Sequence, residues 1–338
     1  MPSLLRSARR PLAGAIFCYC LGTFALGAAW LIRPQATWWL ALGNLFAPLL
    51  FAPLLLLLPL ALLLRAWASA ALGLAAAIVG LALFGGQLLP PALAVPQGRP
   101  LRVMTFNHLF ANARVDAIVA QIRAQNADIV ALQELSNATA EALARDLGDE
   151  YPYQYVRPFD SPQGMGLISR LPFESSQEIW DGVRGQQVTV RVGGQLVTVM
   201  NIHLGAPHVQ GRRIGGLPVV TGYDTGSTDR QVARLAGMVD QVGGPLVAMG
   251  DFNTSDREPR YRELAARMHD AFRETSWGFG FTFPDHKRFG PLTVPFPLLR
   301  IDYVWSKNGV LPAAARVECN STGADHCFLV ADLRVAEP

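Results

Sequence analysis

The chain has 338 residues, a formal net charge of +3 and 51% hydrophobic residues. These averages cover two unlike parts: residues 1–100 hold no Asp or Glu and six Arg, so all 26 acids and 23 of the 29 basic residues come later. The first part excludes a single soluble domain, and the second, with a net charge of about −3, excludes a globally basic nucleic-acid surface.

Arg10, Arg33, Arg65 and Arg99 divide the acid-free part into uncharged stretches of 22, 31 and 33 residues. Each is longer than the ~18 apolar residues that mark a membrane-spanning helix. The predicted spans are 12–32, 38–62 and 68–90. Pro48, Pro53 and Pro59 are expected to kink or break the second, which membrane helices tolerate. Trp30, Trp38, Trp39 and Trp67 fall near span ends, where indoles favour the headgroup layer. A signal peptide would account for the first span alone. Arg6, Arg9 and Arg10 precede that span and place the N-terminus in the cytoplasm by the positive-inside rule. Three crossings then put the rest of the chain outside the cytoplasm, at the cell membrane. The organisation read from this is a transmembrane anchor over 1–92, a Pro-rich linker over 93–100 and one large domain over 101–338.

Cys18 and Cys20 lie inside the first span and read as packing residues. Cys319 and Cys327 are eight apart. Outside the cytoplasm they can form a disulfide; two free thiols in strands are the alternative.

In the domain, 99–107 is a predicted strand, 115–127 a helix, 128–135 a buried strand, and a helix follows near 138–147. Strands are predicted over 164–170, 186–192 and 195–204, with Gly193-Gly194 as the hairpin turn between the last two. A helix over 228–242, a strand over 245–253 and strands over 300–306 and 328–335 complete the pattern. Hairpins interrupt the helix–strand alternation, so the fold class is α/β with mixed or antiparallel sheets covered by helices. No Walker-type phosphate loop occurs, and no G-x-S-x-G turn offers a covalent nucleophile.

Several apolar strands stop abruptly at a polar residue. "VMTFN" ends at Asn107, "IVALQE" at Glu134, "VTVMNIH" at His203 and "LVAMGDFN" at Asp251 and Asn253; "RIDYV" opens with Asp302, and Asp325-His326 precede the last strand. A period of two puts Asp251 and Asn253 on one side of their strand. One such ending is common; six suggest a shared sheet edge. Hard oxygen ligands without clustered His favour Mg²⁺ or Mn²⁺ over structural zinc. His beside acids suits acid–base work and the stabilisation of developing negative charge. The simplest chemistry is metal-assisted attack of water on phosphorus. A core histidine is the alternative reading of His203 taken alone, and His108, His208, His269 and His286 are expected at the surface or behind the site, without a role.

"MTFN", "DIVALQE", "NIHL", "GDFN", "RIDYV" and "ADH" occur in the order of the motifs of the endonuclease/exonuclease/phosphatase superfamily, which the chain resembles over about 101–335. The resemblance implies a four-layer α/β sandwich of the DNase I type, two packed mixed sheets between helices, with the active site at one end. It also implies roles. Glu134 would be the principal Mg²⁺ ligand, with Asn107 and Asp325 also toward the metal. Asp251 would orient or deprotonate the attacking water, Asn253 would hold the phosphate and His203 would contact a phosphate oxygen. His326 would stabilise the transition state, oriented by Asp302. Arg170 ends a strand of partly structural role. Where the family often has Ser before Asp-His, this chain has Ala324.

The three-span layout resembles membrane phosphoesterases associated with glycopeptide-antibiotic resistance, which implies a polyprenyl (pyro)phosphate substrate. The loop 206–229, with Arg212 and Arg213, and the Phe-rich loop 279–300 are expected to form an apolar and basic rim for a lipid headgroup. The partners read from the sequence are therefore the bilayer and a lipid-linked phosphate. The alternatives are an extracytoplasmic nuclease and a catalytically weak binding or scaffold protein.

Overall fold

The computed structural model describes residues 3–89, 91, 96–179, 182–215, 217–289, 292–319 and 323–337. Positions 90 and 93–95, from the predicted third span and linker, lie outside the described residues. The chain packs as two compact units. One comprises Met1–Leu89 and His208–Asp224, the other Pro90–Pro207 and Thr225–Pro338.

The first unit starts with helices α1 (Ser3–Ile32), α2 (Trp38–Leu45), α3 (Ala47–Phe51), α4 (Leu54–Leu63) and α5 (Trp67–Leu88). Arg9–Ile32 and Trp67–Leu88 are each long and apolar enough to cross a membrane. Between them, Trp38–Leu45 and Ala47–Leu63 form a pair bent by 75°, so the count is two or, with the bent pair as one span, three. Pro48 and Pro53 follow the break at Phe46. Proline cannot donate an intrahelical hydrogen bond, and its ring crowds the preceding turn. Small residues let the helices close up: the Phe51 ring fills the space where a Cβ on Gly27 or Gly80 would stand. Trp30 Nε1 donates to Leu40 O over 3.0 Å, and Ser69 Oγ to Ala13 O over 3.0 Å.

The second unit runs β1 (Arg99–Asn107), α6 (Val115–Gln125), β2 (Ile129–Gln133), α7 (Asn137–Leu147), β3 (Tyr153–Arg157), β4 (Met165–Ser169), β5 (Phe173–Ile179), β6 (Gly185–Val192) and β7 (Gln195–His203). The hairpin β8 (His208–Ile214) and β9 (Leu217–Asp224) comes next in the chain but belongs to the first unit. The second unit resumes with α8 (Gly226–Gln241), β10 (Leu246–Asp251), α9 (Pro259–Ala265), β11 (His269–Asp270) and α10 (Ala271–Thr275). Last come β12 (Lys287–Phe289), β13 (Leu292–Val294), β14 (Asp302–Lys307), β15 (Val310–Glu318) and β16 (Phe328–Val335).

Two six-stranded sheets result, with orders β15-β16-β1-β2-β4-β3 and β11-β14-β10-β7-β6-β5. Alternation sorts their side chains. Val103 of β1, Ala131 of β2, Val199 of β7 and Val247 and Met249 of β10 fill the layer between the sheets. Their neighbours Met104, Val130 and Ile168 pack outward on Ile118, Ile122 and Leu143 of α6 and α7. On the far side Met200, Ile202 and Ala248 meet Val232, Leu235 and Val239 of α8, an i, i+3, i+7 stripe. The order helix, sheet, sheet, helix is the four-layer α/β sandwich expected from the sequence. Strands buried on both faces explain why they read as continuous apolar runs.

The connections decide where the polar stops meet. β1 and β2 run parallel, as do β7 and β10, while the other neighbours within each sheet are antiparallel. Parallel partners end at the same edge. Asn107 therefore pairs with Gln133, and Asp251 stands in register with His203 on one side and Asp302 on the other.

Candidate active site

Asp251 is the centre of the site. Its approach requires Gly250, whose φ is +146° and whose Cβ, if present, would lie 1.9 Å from Ile202 O. Only glycine admits that closeness. The Asp251 carboxylate is 2% exposed. Its Oδ1 accepts from the Asn253 N–H over 2.8 Å, and its Oδ2 from Asn107 Nδ2 over 3.1 Å. The second bond joins the two sheets.

Asn107 Nδ2 also donates to Glu134 Oε1 over 3.3 Å, so one amide nitrogen holds two carboxylates. Glu134 Oε2 accepts from the Phe110 N–H. Glu134 has a left-handed φ of +57°, rare outside glycine and concentrated at functional sites. This turn takes the residue out of the pleat of β2, whose last residue, Gln133, points into the core. There Gln133 Nε2 donates to Asn201 Oδ1 over 2.7 Å, and Asn201 Nδ2 reaches Leu132 O and Gly166 O. This buried amide layer beneath the site had no signal in the sequence beyond two polar residues in apolar runs.

His326 is 6% exposed. Its Nδ1 donates to Asp302 Oδ2 over 2.9 Å, and its Nε2 stands 3.8 Å from Asp251 Oδ2. Burial alone would lower its pKa, but the Asp302 and Asp251 carboxylates overcome that and raise it to about 9. His326 is thus a cation at neutral pH. His203 Nε2 lies 3.6 Å from the same Asp251 oxygen, yet burial, with Arg184 and His326 nearby, lowers its pKa to about 3. His203 is therefore neutral, and this contact is not an ion pair. Burial raises the Asp251 pKa to about 7, with Asp302 adding to the rise and His326 opposing it.

One ligand-type atom from each of Asp251, Asp302 and His326 lies within 4.8 Å of the others, with all three residues buried. A histidine that keeps its proton is a donor rather than a ligand, so the carboxylates are the better place for a cation. Two observations fit one there. Glu134 and Asp251 converge on a single neutral amide. Asp302 Oδ1 is buried without a hydrogen-bond partner among the described residues. Hard oxygen donors of this kind suit a divalent ion such as Mg²⁺.

The structure brings Asn107, Glu134, His203, Asp251, Asp302 and His326 together and corrects one expectation. Asn253 lies past the end of β10, which stops at Asp251 rather than at residue 253. Its φ of +46° ends the strand alternation, and its Nδ2 donates to Leu204 O over 2.8 Å while its backbone braces Asp251. Asp325 accepts a 2.6 Å bond from Lys287 Nζ, and its charge is near enough to help raise the His326 pKa. His108, expected at the surface or behind the site, is fully buried and follows Asn107 directly in the chain; burial lowers its pKa to about 4. His208, His269 and His286 are exposed, as expected.

The sequence reading missed Arg184, Thr282 and Phe283. Arg184 is near enough to feel the Glu134 charge. The Thr282 hydroxyl accepts from the N–H groups of Ile301 and Asp302. The Phe283 ring lies 4.7 Å from the His326 ring. Thr282 and Phe283 belong to "GFTFPDH", whose aromatics had drawn notice only as a rim.

The profile of the Endonuclease/Exonuclease/phosphatase family matches residues 104–326. Among solved structures, the chain is similar to a humanized D. rerio TDP2, with a TM-score of 0.53 and 16% identity over 69% of this chain and 98% of that one. It is similar also to the endonuclease/exonuclease/phosphatase from Bacteroides vulgatus, with a TM-score of 0.53 and 18% identity over 70% and 99%. A third, D. rerio TDP2 complexed with a single-strand DNA product, gives a TM-score of 0.54 at 15% identity over 69% and 98%. No curated protein matches significantly. The chain belongs to the endonuclease/exonuclease/phosphatase family and is a metal-dependent hydrolase of phosphoric ester bonds.

Proposed function

We propose that the chain is a membrane-anchored, Mg²⁺-dependent phosphoesterase that acts outside the cytoplasm on a lipid-linked phosphate, a polyprenyl (pyro)phosphate first among candidates. The observation that carries the lipid reading is the apolar edge beside His326. Phe283 touches the His326 ring. The same segment stacks Phe279 on Phe281 at 5.1 Å and leaves Trp277 66% and Phe296 57% exposed. Phosphate chemistry alone has no use for exposed aromatics; a substrate with an apolar tail does. Two or three spanning helices in the same chain keep the site supplied with such substrates at high effective concentration.

The location rests on two further supports. Arg6, Arg9 and Arg10 favour a cytoplasmic N-terminus. Cys319 and Cys327 form a disulfide, a bond that persists in oxidising compartments.

In the proposed mechanism Glu134 and Asp251 would hold Mg²⁺, with Asn107 fixing both carboxylates. Bound there, the ion supplies Lewis-acid neutralisation of phosphate charge. Asp251 orients water and takes its proton. Protonated His326, held by Asp302, donates to the oxygen on which charge develops. Neutral His203 contacts a phosphate oxygen. Asn253 keeps one amide hydrogen for phosphate, the other being bonded to Leu204 O.

A nuclease is the second reading, favoured by the D. rerio TDP2 structure that holds a single-strand DNA product. The test is a panel: full-length chain in lipid vesicles with Mg²⁺ against polyprenyl pyrophosphate, sphingomyelin, phosphoinositides and plasmid DNA. Turnover of the polyprenyl substrate above the rest is expected. Cleavage of DNA with no lipid turnover would replace this reading with the nuclease.

A further inference from the structure

The hairpin β8–β9 is carried in the chain of the catalytic unit but packs with the apolar helices. It leaves after His203, the end of a site strand, and returns before α8. It clusters with residues 1–89, and β9 packs against α2. α2 opens with Trp38 and Trp39, both exposed, a pair of indoles of the kind that sits at a membrane–water boundary.

Its own residues do not build a small independent core. Every residue of β8 is exposed. Val209, Ile214, Val219 and Val220 are between 37% and 49% exposed. The backbone register pairs Ile214 with Leu217 at the tip, Arg213 with Pro218 and Arg212 with Val219 below it. Gly215, with φ +57°, makes the turn. By sequence the tip is apolar, with two arginines behind it. Neither guanidinium has an ion-pair or hydrogen-bond partner among the described residues. Between 208 and 223 the hairpin holds no acid. A two-stranded hairpin by itself is marginal in water, and an apolar tip with a basic collar matches the layering of an anionic bilayer surface.

We propose that this hairpin is a second membrane contact, its Ile214–Leu217 tip seated in the bilayer boundary and Arg212 and Arg213 on anionic lipid headgroups. The inference rests on the membrane reading of the helices and deepens it. Only five residue steps connect His203 to His208, a path of at most about 18 Å. With Arg212 on the headgroups, the nine residue steps from His203 to Arg212 keep the end of β7 within at most about 32 Å of them.

The test is the depth of a nitroxide on the full-length chain, with Cys18 and Cys20 replaced by Ala and Cys319–Cys327 left bonded. Labels go on Ile214→Cys, on Ile78→Cys in α5 as a bilayer reference, and on exposed Ser176→Cys as an aqueous reference. Vesicles are phosphatidylethanolamine with phosphatidylglycerol, or phosphatidylcholine alone. Collision with oxygen relative to a water-soluble nickel chelate is expected to be several-fold higher at 214 than at 176 in anionic vesicles. Arg212→Glu with Arg213→Glu should return the 214 label to the aqueous value. A 214 label that behaves like 176 overturns the proposal, and 78 remaining in lipid would show that the anchor reading survives. A 214 label shielded from both reagents also overturns it, because the tip is then covered by protein. If 78 is itself aqueous, the anchor reading falls and the proposal falls with it.

Discussion

His326 Nδ1 donates to Asp302 Oδ2 over 2.9 Å while the opposite ring nitrogen faces Asp251. The pair is assembled from two sheets: Asp302 opens β14, and His326 lies just before β16. Holding one nitrogen fixes the ring and keeps the other loaded with a proton. Asp302→Asn preserves the shape but removes the charge, and kcat is expected to fall about 10²–10⁴-fold with KM little changed. Steady-state kinetics on whichever phosphate ester the chain hydrolyses checks this. Unchanged kcat would mean that His326 needs no carboxylate partner.

The same pair sets a pH dependence in the metal-free protein. The folded pKa of His326, about 9, lies above its ordinary value near 6.5. Its contribution to stability is therefore complete below about pH 6.5 and fades as pH rises through about 9. The size is on the order of 3 kcal/mol. Thermal unfolding of wild type and His326→Gln in detergent with chelator should differ most near pH 6 and converge toward pH 10. A gap that widens with pH would reverse the sign of the linkage.

Asn107 has a measurable structural job, since its amide nitrogen holds Glu134 and Asp251 at once. Asn107→Ala frees both carboxylates without removing either. Metal affinity or activity is expected to drop about 10–100-fold. Titrating activity against Mg²⁺ should show a raised half-saturating concentration. No shift would assign the positioning of these carboxylates elsewhere.

Away from the site, Arg300 is 1% exposed and pairs with Asp270 at 2.7 Å and Asp256 at 3.3 Å, its guanidinium 4.6 Å from the Tyr303 ring centre. Arg300→Met leaves Asp270 without this cation in the interior and removes one of the cations at Asp256, which keeps Arg273. Loss of about 3–5 kcal/mol is expected, read as a lower denaturant midpoint. An unchanged midpoint would mean that water reaches these acids.

What could be read in the sequence follows from burial. β1, β2, β7 and β10 are covered on both faces, so each reads as an apolar run with a sudden polar stop, and those stops are the site. The Gly193-Gly194 turn was legible because both residues take positive φ, +56° and +90°. Edge strands were not. β15 includes Pro312 and three alanines, and β5 reads FESSQEI; each borrows its shape from one neighbour rather than from its own pattern. The hairpin β8–β9, with Gly211, Gly222 and Pro218, was read as a loop for the same reason. Burial of Arg300 and His108 contradicted their polarity. Arg300 is compensated by acids distant in sequence, which no local window contains. The turn of Asn253 was hidden because strand alternation was carried two residues past the end of β10.

Asp251 is the centre of the proposed chemistry. Full-length chain in vesicles with Mg²⁺ should hydrolyse a phosphate ester, lose that activity with chelator, and regain it when Mg²⁺ returns. Asp251→Asn, with wild-type unfolding behaviour, should lose about 10²–10⁴-fold in kcat. Undiminished turnover by that variant would contradict the assignment of this cluster as the catalytic site.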